Sequence, residues 1–435
     1  MNFAFQKWLT LAFMPLAMQA ATEAQMATNA GSALSLTEAK HLAFERNWDL
    51  LAAKSGVDAA TAQLLVAKEF PNPTFSYSTA RIADYGNSTP VGNGLWSRNY
   101  DTIFAVSQLI EIGGKRRDRK ASAEAGLRGA RARFGDARRL LEQGVAKAYI
   151  AALLAGENAR VLKDSARMFQ HEVEIAQARL KAGDISDSDE KQIENSADIF
   201  GLQAKSAEAG ALQARIAVDV LLGNDAPKGN WTPADTLEEL AVAPPPLNEA
   251  KANAVRPDVL AAEFDLVQSK ADLKLQQAMR IPDPTISFLE EHNPYGGLFP
   301  DDTVGLGVSF PLPLWNWNRG EIKSAQATVD KNALALAKTK AQVTADIATA
   351  QSSWHEATER LQRYQSQILP KSQQVRDSVA FAFEKGGQSL VDLLEAERAD
   401  NDARLATAQA MADASSAAAD LKAAMEPMNS SNLPQ

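Results

Sequence analysis

Residues 141–180 read LEQGVAKAYIAALLAGENARVLKDSARMFQHEVEIAQARL, and this stretch decides the fold. Apolar side chains recur in it at alternating steps of four and three residues. The positions of the series are Leu141, Val145, Ala148, Ala152, Ala155, Ala159, Leu162, Ala166, Phe169, Val173, Ala176 and Leu180. Such spacing keeps one seam of a helix facing a partner helix and predicts left-handed supercoiling. The many alanines predict that the paired helices approach closely.

A second series with the same spacing lies about 200 residues further along the chain. It consists of Val343, Ile347, Ala350, Trp354, Ala357, Leu361, Tyr364 and Ile368. The helical pattern around the first series, residues 113–180, predicts a helix roughly 100 Å long at 1.5 Å per residue. That is far longer than one globular domain needs. An ordinary long helical bundle would explain the heptads, but not the strand patterns that interrupt both halves at matching places.

The chain is predicted to contain two copies of one plan, because short motifs recur in the same order. Leu36-Thr37-Glu38-Ala39 returns as Leu247-Asn248-Glu249-Ala250, and Pro71-Asn72-Pro73-Thr74 returns as Pro282-Asp283-Pro284-Thr285. The predicted bounds are repeat 1 at 35–223, a Gly- and Pro-rich linker at 224–246, repeat 2 at 247–426 and a tail at 427–435.

Each repeat is predicted to run through four parts in the same order. The parts are an opening helix (35–69 and 247–280), a β-hairpin (72–112 and 283–314), a very long helix (115–181 and 319–384) and a last helix after a glycine turn (187–222 and 389–426). The long helices therefore occupy 115–222 and 319–426. The expected fold class is mainly α with a β-barrel portion.

The strand segments alternate apolar with small or polar residues. Val304, Leu306 and Val308 alternate with Gly305 and Gly307, which predicts a sheet with one apolar face. Four strands cannot close a barrel, and open edges are not tolerated in lipid. Two, three or four chains would supply 8, 12 or 16 strands. A soluble sheet packed on helices is the alternative.

Composition and the first residues set the compartment and exclude several classes of protein. Residues 1–24 have the pattern of a secretory signal peptide, with Lys7 followed by an apolar run from Trp8 to Met18. The chain has a net charge of −9 and no cysteine. The charge argues against nucleic-acid binding, and the lack of cysteine excludes disulfides and thiolate metal sites. The four histidines have no metal-ligand spacing, so we expect no metal site, no cofactor and no catalytic residue.

The duplicated plan resembles the TolC-type outer-membrane efflux family over residues 35–426. The motifs that carry the resemblance are the hairpin-to-helix junctions Gln108–Arg116 and Phe310–Gly320 and the end of repeat 1 at Leu221-Leu222-Gly223. The resemblance implies a homotrimer whose twelve strands form an outer-membrane barrel in lipid, continued by an α-helical coiled-coil tube across the periplasm. It also implies two partners, a periplasmic adaptor and an inner-membrane RND-type pump. The Gly-Gly-Lys-Arg and Trp-Asn-Trp-Asn-Arg-Gly junctions look closest to the cobalt-zinc-cadmium branch, which serves heavy-metal pumps.

The same resemblance implies roles for residues at the two glycine turns. Residues expected in the adaptor-docking turns are Gly183, Asp184, Ser186, Gly386, Gly387 and Ser389. Residues expected at the periplasmic aperture are Asp189, Asp392 and Glu395, where a trimer would form acidic rings that favour cations. Capping of the following helices is the alternative role for the two aspartates, since Ser186-x-x-Asp189 and Ser389-x-x-Asp392 resemble capping boxes.

The sequence therefore predicts an exported, passive exit duct of a tripartite efflux system, with heavy-metal cations as cargo. A duct of the same family for drugs, organic solutes or secreted proteins is one alternative. A soluble periplasmic coiled-coil scaffold is the alternative from another class of protein.

Overall fold

The computed structural model describes residues 33–80, 101–241, 256–292 and 302–427 of the 435-residue chain, and these are mostly helical. The helices are α1 (Leu36–Arg46), α2 (Trp48–Lys68), α3 (Lys115–Ala182), α4 (Asp187–Leu221), α5 (Leu237–Leu240), α6 (Pro257–Ala278), α7 (Arg319–Arg363), α8 (Leu369–Glu384) and α9 (Leu390–Met425). The strands are β1 (Ala33–Leu34), β2 (Thr74–Ala80), β3 (Asp101–Leu109), β4 (Thr232–Pro233), β5 (Thr285–His292) and β6 (Asp302–Ser309).

The chain divides into two compact units that each draw on both halves of the sequence. Of the described residues, unit 1 comprises 33–52, 136–241 and 343–427, and unit 2 comprises 53–80, 101–135, 256–292 and 302–342. Unit 1 therefore holds most of the long helices, and unit 2 holds the hairpins with the helix ends that join them.

The four-three series of the sequence forms the packed seams of unit 1. Val145 and Phe169 are buried, and every other member of the first series is buried or half-buried. Phe169 stacks on Phe200 of α4 with ring centroids 4.5 Å apart. In the second series Ala357 and Leu361 pack against a buried row of alanines on α9. Small side chains thus let these helices approach closely, as the alanine-rich pattern predicts.

The long helix predicted over 319–384 is helical throughout, but it is not α-helical throughout. A short π-helical segment, Tyr364–Ile368, separates α7 from α8. The amide of Leu369 bonds to the carbonyl of Tyr364, five residues back, directly before Pro370. A proline inside a helix lacks the N–H donor, and its ring collides with the carbonyl four residues earlier. The widened turn relieves that collision, and it leaves Ile368, the last member of the series, exposed.

The opening helix predicted over 35–69 is also interrupted, at Asn47. This residue has an extended backbone, and its side-chain oxygen accepts a hydrogen bond from the amide of Leu50 at 3.0 Å. Its side-chain nitrogen donates to the carbonyl of Leu221 at 3.0 Å. The neighbouring Gly223 has φ +73°, and a Cβ there would lie 2.3 Å from the carbonyl oxygen of Arg46. These contacts hold the end of α4 against the chain segment between α1 and α2.

Residues 224–241, which the sequence assigns to a linker, fold against the long helix α3. Strand β4 pairs in parallel with β1. Trp231 is buried and stacks on Tyr149 with centroids 5.8 Å apart. The carboxylate of Asp219 accepts hydrogen bonds from the amides of Lys228 and Gly229. These contacts explain why a turn-rich segment has one fixed path.

Unit 2 contains an antiparallel sheet in the order β2-β3-β5-β6. Phe75 pairs with Val106, Val106 with Phe288, and Phe288 with Leu306, so one apolar row crosses all four strands. The opposite face carries mostly small and polar residues, with Ile103, Leu109 and Leu289 as larger apolar members. The hydroxyls of Ser107 and Ser287 lie 2.9 Å apart on this face. The predicted alternation therefore produces one apolar face, and this face is exposed.

Several predictions fall on residues outside the described ranges. They concern the signal peptide at 1–24, the hairpin loops after Ala80 and His292, the start of the second opening helix and the tail after Pro427. Among the described helices, α2 is long and apolar enough to cross a membrane by length and composition alone, and 17% of its apolar window is buried.

Tyr149 provides a pH-dependent test of the packing in unit 1. Its hydroxyl donates to the carbonyl of Leu34 at 2.7 Å, and burial raises its pKa to about 12. A raised phenol pKa means that the folded state favours the neutral form. This contribution to stability is complete below the ordinary pKa of about 10 and is lost as the pH rises towards 12.

We therefore expect one of the six tyrosines to ionise last in an ultraviolet absorbance titration of the folded protein. Tyr149→Phe should remove this late step, whereas Tyr77→Phe, on the exposed face of the sheet, should leave it in place. Simultaneous ionisation of all tyrosines near pH 10 would contradict this description of the core.

Candidate functional site

The two glycine turns that join the long helices have the same geometry. Gly183 and Gly386 adopt φ +80° and +75°, the left-handed conformation that glycine tolerates best. The amide of Asp184 bonds to the carbonyl of Arg179, and the amide of Gly387 bonds to the carbonyl of Ala382. Both bonds span five residues and close the end of the preceding helix. The turns are exposed at every predicted docking residue.

The helices that follow these turns begin with reciprocal capping boxes. The amide of Asp189 bonds to the Ser186 hydroxyl at 3.2 Å, and the Ser186 amide bonds back to the Asp189 carboxylate at 3.2 Å. Ser389 and Asp392 make the same two bonds, at 3.2 and 3.1 Å. The capping role considered for both aspartates is therefore present in the structure.

The three predicted aperture residues differ in how they are held. Hydrogen bonds from the Ser389 side chain and backbone lower the pKa of Asp392, so this carboxylate stays ionised in the cap. Asp189 is half-buried in the equivalent cap. Glu395 is exposed, and within the described ranges it forms no ion pair. Of the three residues, Glu395 is therefore the one that is exposed and takes no part in a helix cap or ion pair within the described ranges.

Packing brings the two turns to the same end of unit 1. Leu394 of α9 belongs to a buried cluster with Val173 of α3 and Ile193 of α4, and Leu390 packs against this cluster. The guanidinium of Arg179 lies over the ring of Phe383, 5.3 Å from its centroid. The candidate site is thus one surface to which both repeats contribute.

A buried ionic cluster along α9 was not predicted from the sequence. Asp400 is almost completely buried and accepts hydrogen bonds from Arg404 at 2.7 Å and from Arg376 of α8 at 3.3 Å. Its other carboxylate oxygen, Oδ1, has no hydrogen-bond partner. Next to it, Asn401 accepts a hydrogen bond from Ser165 of α3. The sequence does carry a signal for this cluster. Asp400 and Asn401 occupy buried positions of α9 that hold Leu or Ala in the neighbouring helical turns.

Two further carboxyl groups lie in this cluster. Burial raises the pKa of Glu172 on α3 and of Glu397 on α9, and the nearby Asp400 adds to the shift of Glu397. A carboxyl whose folded pKa is raised favours its neutral form in the fold. Its contribution to stability is present below the ordinary carboxyl pKa and is lost as the pH rises through the raised value.

Within the described part of the chain, no group of three or more His, Asp or Glu side chains is arranged so that it could hold a metal ion. His292 and Asp302, at the ends of β5 and β6, approach to 2.6 Å as a pair. Such a pair is too small a ligand set for a stable metal centre.

Comparison with known proteins identifies the family. The model of the outer membrane efflux protein family matches residues 40–224 and 248–425, one stretch in each predicted repeat. The chain belongs to the outer membrane efflux protein family. As a member of this family it is a transport channel rather than an enzyme.

One curated relative in sequence is the cobalt-zinc-cadmium resistance protein CzcC of Cupriavidus metallidurans. It is 25% identical over 369 residues, which cover 85% of this chain and 84% of the relative. Solved structures share the fold. CusC superimposes with a TM-score of 0.77 at 16% identity, covering 90% of this chain and 92% of CusC. The open-state MtrE channel of Neisseria gonorrhoeae gives 0.76 at 20% identity, with 90% and 88% covered. The CmeC channel of Campylobacter jejuni gives 0.76 at 18%, with 90% and 85% covered.

The ionic cluster generates a stability prediction. Asp400→Ala removes the hydrogen bonds that the partly buried Arg376 and Arg404 make to its carboxylate, and we expect a loss of about 2 kcal/mol because hydrogen bonds to charged groups are lost. Asp413→Ala on the same helix removes an exposed pair with Arg360 and should cost less than about 1 kcal/mol. Urea unfolding followed by circular dichroism measures both. Equal decreases in the free energy of unfolding for the two variants would show that the buried cluster around Asp400 contributes no more than an exposed ion pair.

Proposed function

We propose that this channel is the outer-membrane component of a tripartite RND-type efflux system. It works as a homotrimer and passively conducts substrates that an inner-membrane pump delivers through a periplasmic adaptor. The observation that carries the proposal is a four-stranded sheet with an exposed apolar face, joined directly to helices of up to 68 residues.

The sheet supports both the membrane location and the assembly. Leu306 and Val304 on its apolar face are 77% and 73% exposed, an unfavourable arrangement in water. Within the described residues, the outer edges of β2 and β6 pair with no other strand. Hydrocarbon cannot satisfy unpaired backbone groups, so a membrane sheet must close on itself. Three copies would supply twelve strands, an even number as in other bacterial barrels.

Unpartnered helix surfaces also favour assembly over a monomer. On α2, Leu65 and Val66 are exposed, and on α7 Leu334 is 72% exposed. A soluble periplasmic scaffold would have to leave these side chains and the apolar sheet in water. That cost makes the scaffold the weaker proposal. It would also predict a protein that dissolves without detergent and shows no heat-sensitive trimer.

Heavy-metal cations are the proposed cargo. The support is the likeness to a cobalt-zinc-cadmium resistance protein over 85% of the chain. An exit duct of the same family for drugs, organic solutes or secreted proteins is the second candidate. Likeness of fold does not select a cargo, since it extends to several outer membrane channels such as CmeC and MtrE.

Growth of a deletion strain separates these cargoes. We expect hypersensitivity to zinc, cobalt, cadmium or nickel that the intact gene restores, and unchanged sensitivity to a panel of drugs and detergents. Copper and silver salts extend the panel to metals outside the cobalt-zinc-cadmium group. Sensitivity to drugs and detergents alone would remove the metal cargo and leave the channel intact.

The glycine turns are the proposed end of the tube that meets the adaptor, and the acidic residues beside them are its proposed aperture. In a trimer Glu395 and Asp392 would each form a ring of three negative charges. Such rings attract cations and hold the helix ends apart by repulsion. Because Asp392 also caps α9, Glu395 is the cleaner residue with which to test the ring.

The test is conductance of purified trimers in planar bilayers. Glu395→Gln should reduce cation preference and change conductance, since it removes three charges at the aperture without disturbing a cap. Glu194→Gln, an exposed acid on α4, is the matched control and should behave as wild type. Unchanged ion preference in Glu395→Gln would rule out the acidic ring.

A further inference from the structure

We propose that the junction between the sheet and the helices of unit 2 binds the headgroups of anionic glycerophospholipids in the adjoining membrane monolayer. We call this surface the junction collar and define it by Trp315, Trp317, Arg116, Arg117, Arg319 and Lys323. The inference rests on the proposed function, because it requires the sheet to lie in a membrane.

Three layers of side chains follow one another from the sheet to the helices. The strands present their apolar face. Directly after β6, the segment 310–317 presents Phe310, Leu312, Leu314 and two tryptophans, and Trp315 is 91% exposed. The cations of the helix starts come next. Hydrocarbon, aromatic belt and charged headgroup occur in this order at a membrane surface.

The tryptophan segment is held in place. Asn318 has φ +55°, and its side-chain nitrogen donates to the carbonyl of Gln276 at 2.8 Å. Arg280 donates from Nε to the carbonyl of Trp317 at 3.3 Å. These bonds fix the segment against the end of α6. Hydrogen bonds on the residues that follow Trp315 therefore hold the segment in the conformation that exposes its side chain.

The cations at the start of α7 lack internal compensation. Arg319 and Lys323 lie one turn apart on one helix face, both exposed, and neither forms an ion pair in the described part of the chain. Like charges at this spacing repel and destabilise a helix. An external anion bound between the two side chains would replace this repulsion with attraction to both charges. Arginine suits a phosphodiester in particular, because its planar guanidinium bonds two oxygens at once.

The start of α3 extends the collar. The side chain of Arg117 is 79% exposed, with Asp118 as a neighbour at 3.1 Å. Arg116 lies over the ring of Phe70, 3.9 Å from its centroid, and donates to the carbonyl of Lys68. An aromatic ring beneath a guanidinium holds the charge at the edge of an apolar surface.

The local charge is opposite to that of the whole chain. The segments 68–70, 111–120, 279–283 and 315–323 contain nine cations and five acids, in a protein of net charge −9. Three of the acids pair with cations of the same segments: Glu111 with Arg119 at 2.5 Å, Asp283 with Lys115 at 2.8 Å and Asp118 with Arg117 at 3.1 Å. Six cations and two acids of these segments remain outside those pairs. The surplus positive charge thus lies at the level where lipid phosphates would be. Polybasic segments beside a membrane attract anionic lipids.

The experiment uses the full-length protein in detergent, titrated with phosphatidylglycerol or phosphatidylcholine that carries bromine near the headgroup end of its chains. Quenching of tryptophan fluorescence reports binding, and a Trp315→Phe/Trp317→Phe variant identifies the signal of the collar. We expect phosphatidylglycerol to bind at least about tenfold more tightly than phosphatidylcholine. Raising NaCl from about 0.05 M to about 0.5 M should reduce the preference, because exposed charges are screened.

Charge variants locate the site. Arg117→Gln/Arg319→Gln/Lys323→Gln should abolish the preference. Arg128→Gln/Lys331→Gln/Lys338→Gln removes equal charge from exposed positions further along the same two helices, α3 and α7, and should retain it. Equal loss in both variants would overturn the inference, as would a preference insensitive to salt in the wild type. If brominated lipid does not quench the fluorescence of Trp315 and Trp317, lipid does not reach the collar, as when another copy of the chain covers it. That result would also overturn the inference.

Conductance in phosphatidylcholine bilayers keeps this inference separate from the proposed function. A wild-type protein that conducts but shows no preference for phosphatidylglycerol refutes the collar and preserves the channel. A wild-type protein that forms no channel refutes the proposed function itself.

Discussion

Close approach of helices through small side chains is the constraint on which unit 1 depends. Ala410 and Ala414 of α9 are almost fully buried against Ala357 and Leu361 of α7. Each alanine buries little apolar area, so each contact contributes little free energy. It also loses no side-chain entropy on packing. Stability must therefore be summed over a long seam, which accounts for helices of 35 to 68 residues. Larger side chains would separate the helices that the turns and caps hold together.

Polar groups in this seam fix which residues face each other. An alanine seam alone permits sliding, because one alanine matches another. Asp400 with its two arginines, and the hydrogen bond between Ser165 and Asn401, are satisfied in one register. Such groups add little net stability, since burying charge is costly. We infer that their contribution here is the register, with the unsatisfied Oδ1 of Asp400 as part of the cost.

Unit 2 is organised by the opposite requirement, since its largest apolar side chains lie outside. Its sheet has one face of mostly small and polar residues and one apolar face that is exposed in one chain. The junctions on either side of the sheet are correspondingly rigid. Glu111 pairs with Arg119, and Asp283 pairs with Lys115 at 2.8 Å, so the end of the first hairpin and the start of the second are both held to the start of α3.

The sequence by itself determined the elements that follow from local periodicity. The seams, the alternation of the strands, the two glycine turns and the Ser-x-x-Asp caps depend on residues within one or two helical turns of each other, and the structure has them. Position along the chain did not reveal the break at Asn47, because its side chain is satisfied by the carbonyl of Leu221, 174 residues away. The sequence did not predict the π-helical segment before Pro370, because a proline in a helix can be accommodated by a kink, a break or a π-bulge.

Only the tertiary structure decided which distant groups meet. It placed Trp231 on Tyr149, gathered Glu172, Glu397 and Asp400 into one cluster, and brought both glycine turns to one end of unit 1. It also distinguished the two acids beside the second turn, since Asp392 is bound in a cap and Glu395 is not. The physical reason is that periodicity specifies which face of an element is buried. The partner of that face depends on packing between segments that the sequence keeps far apart.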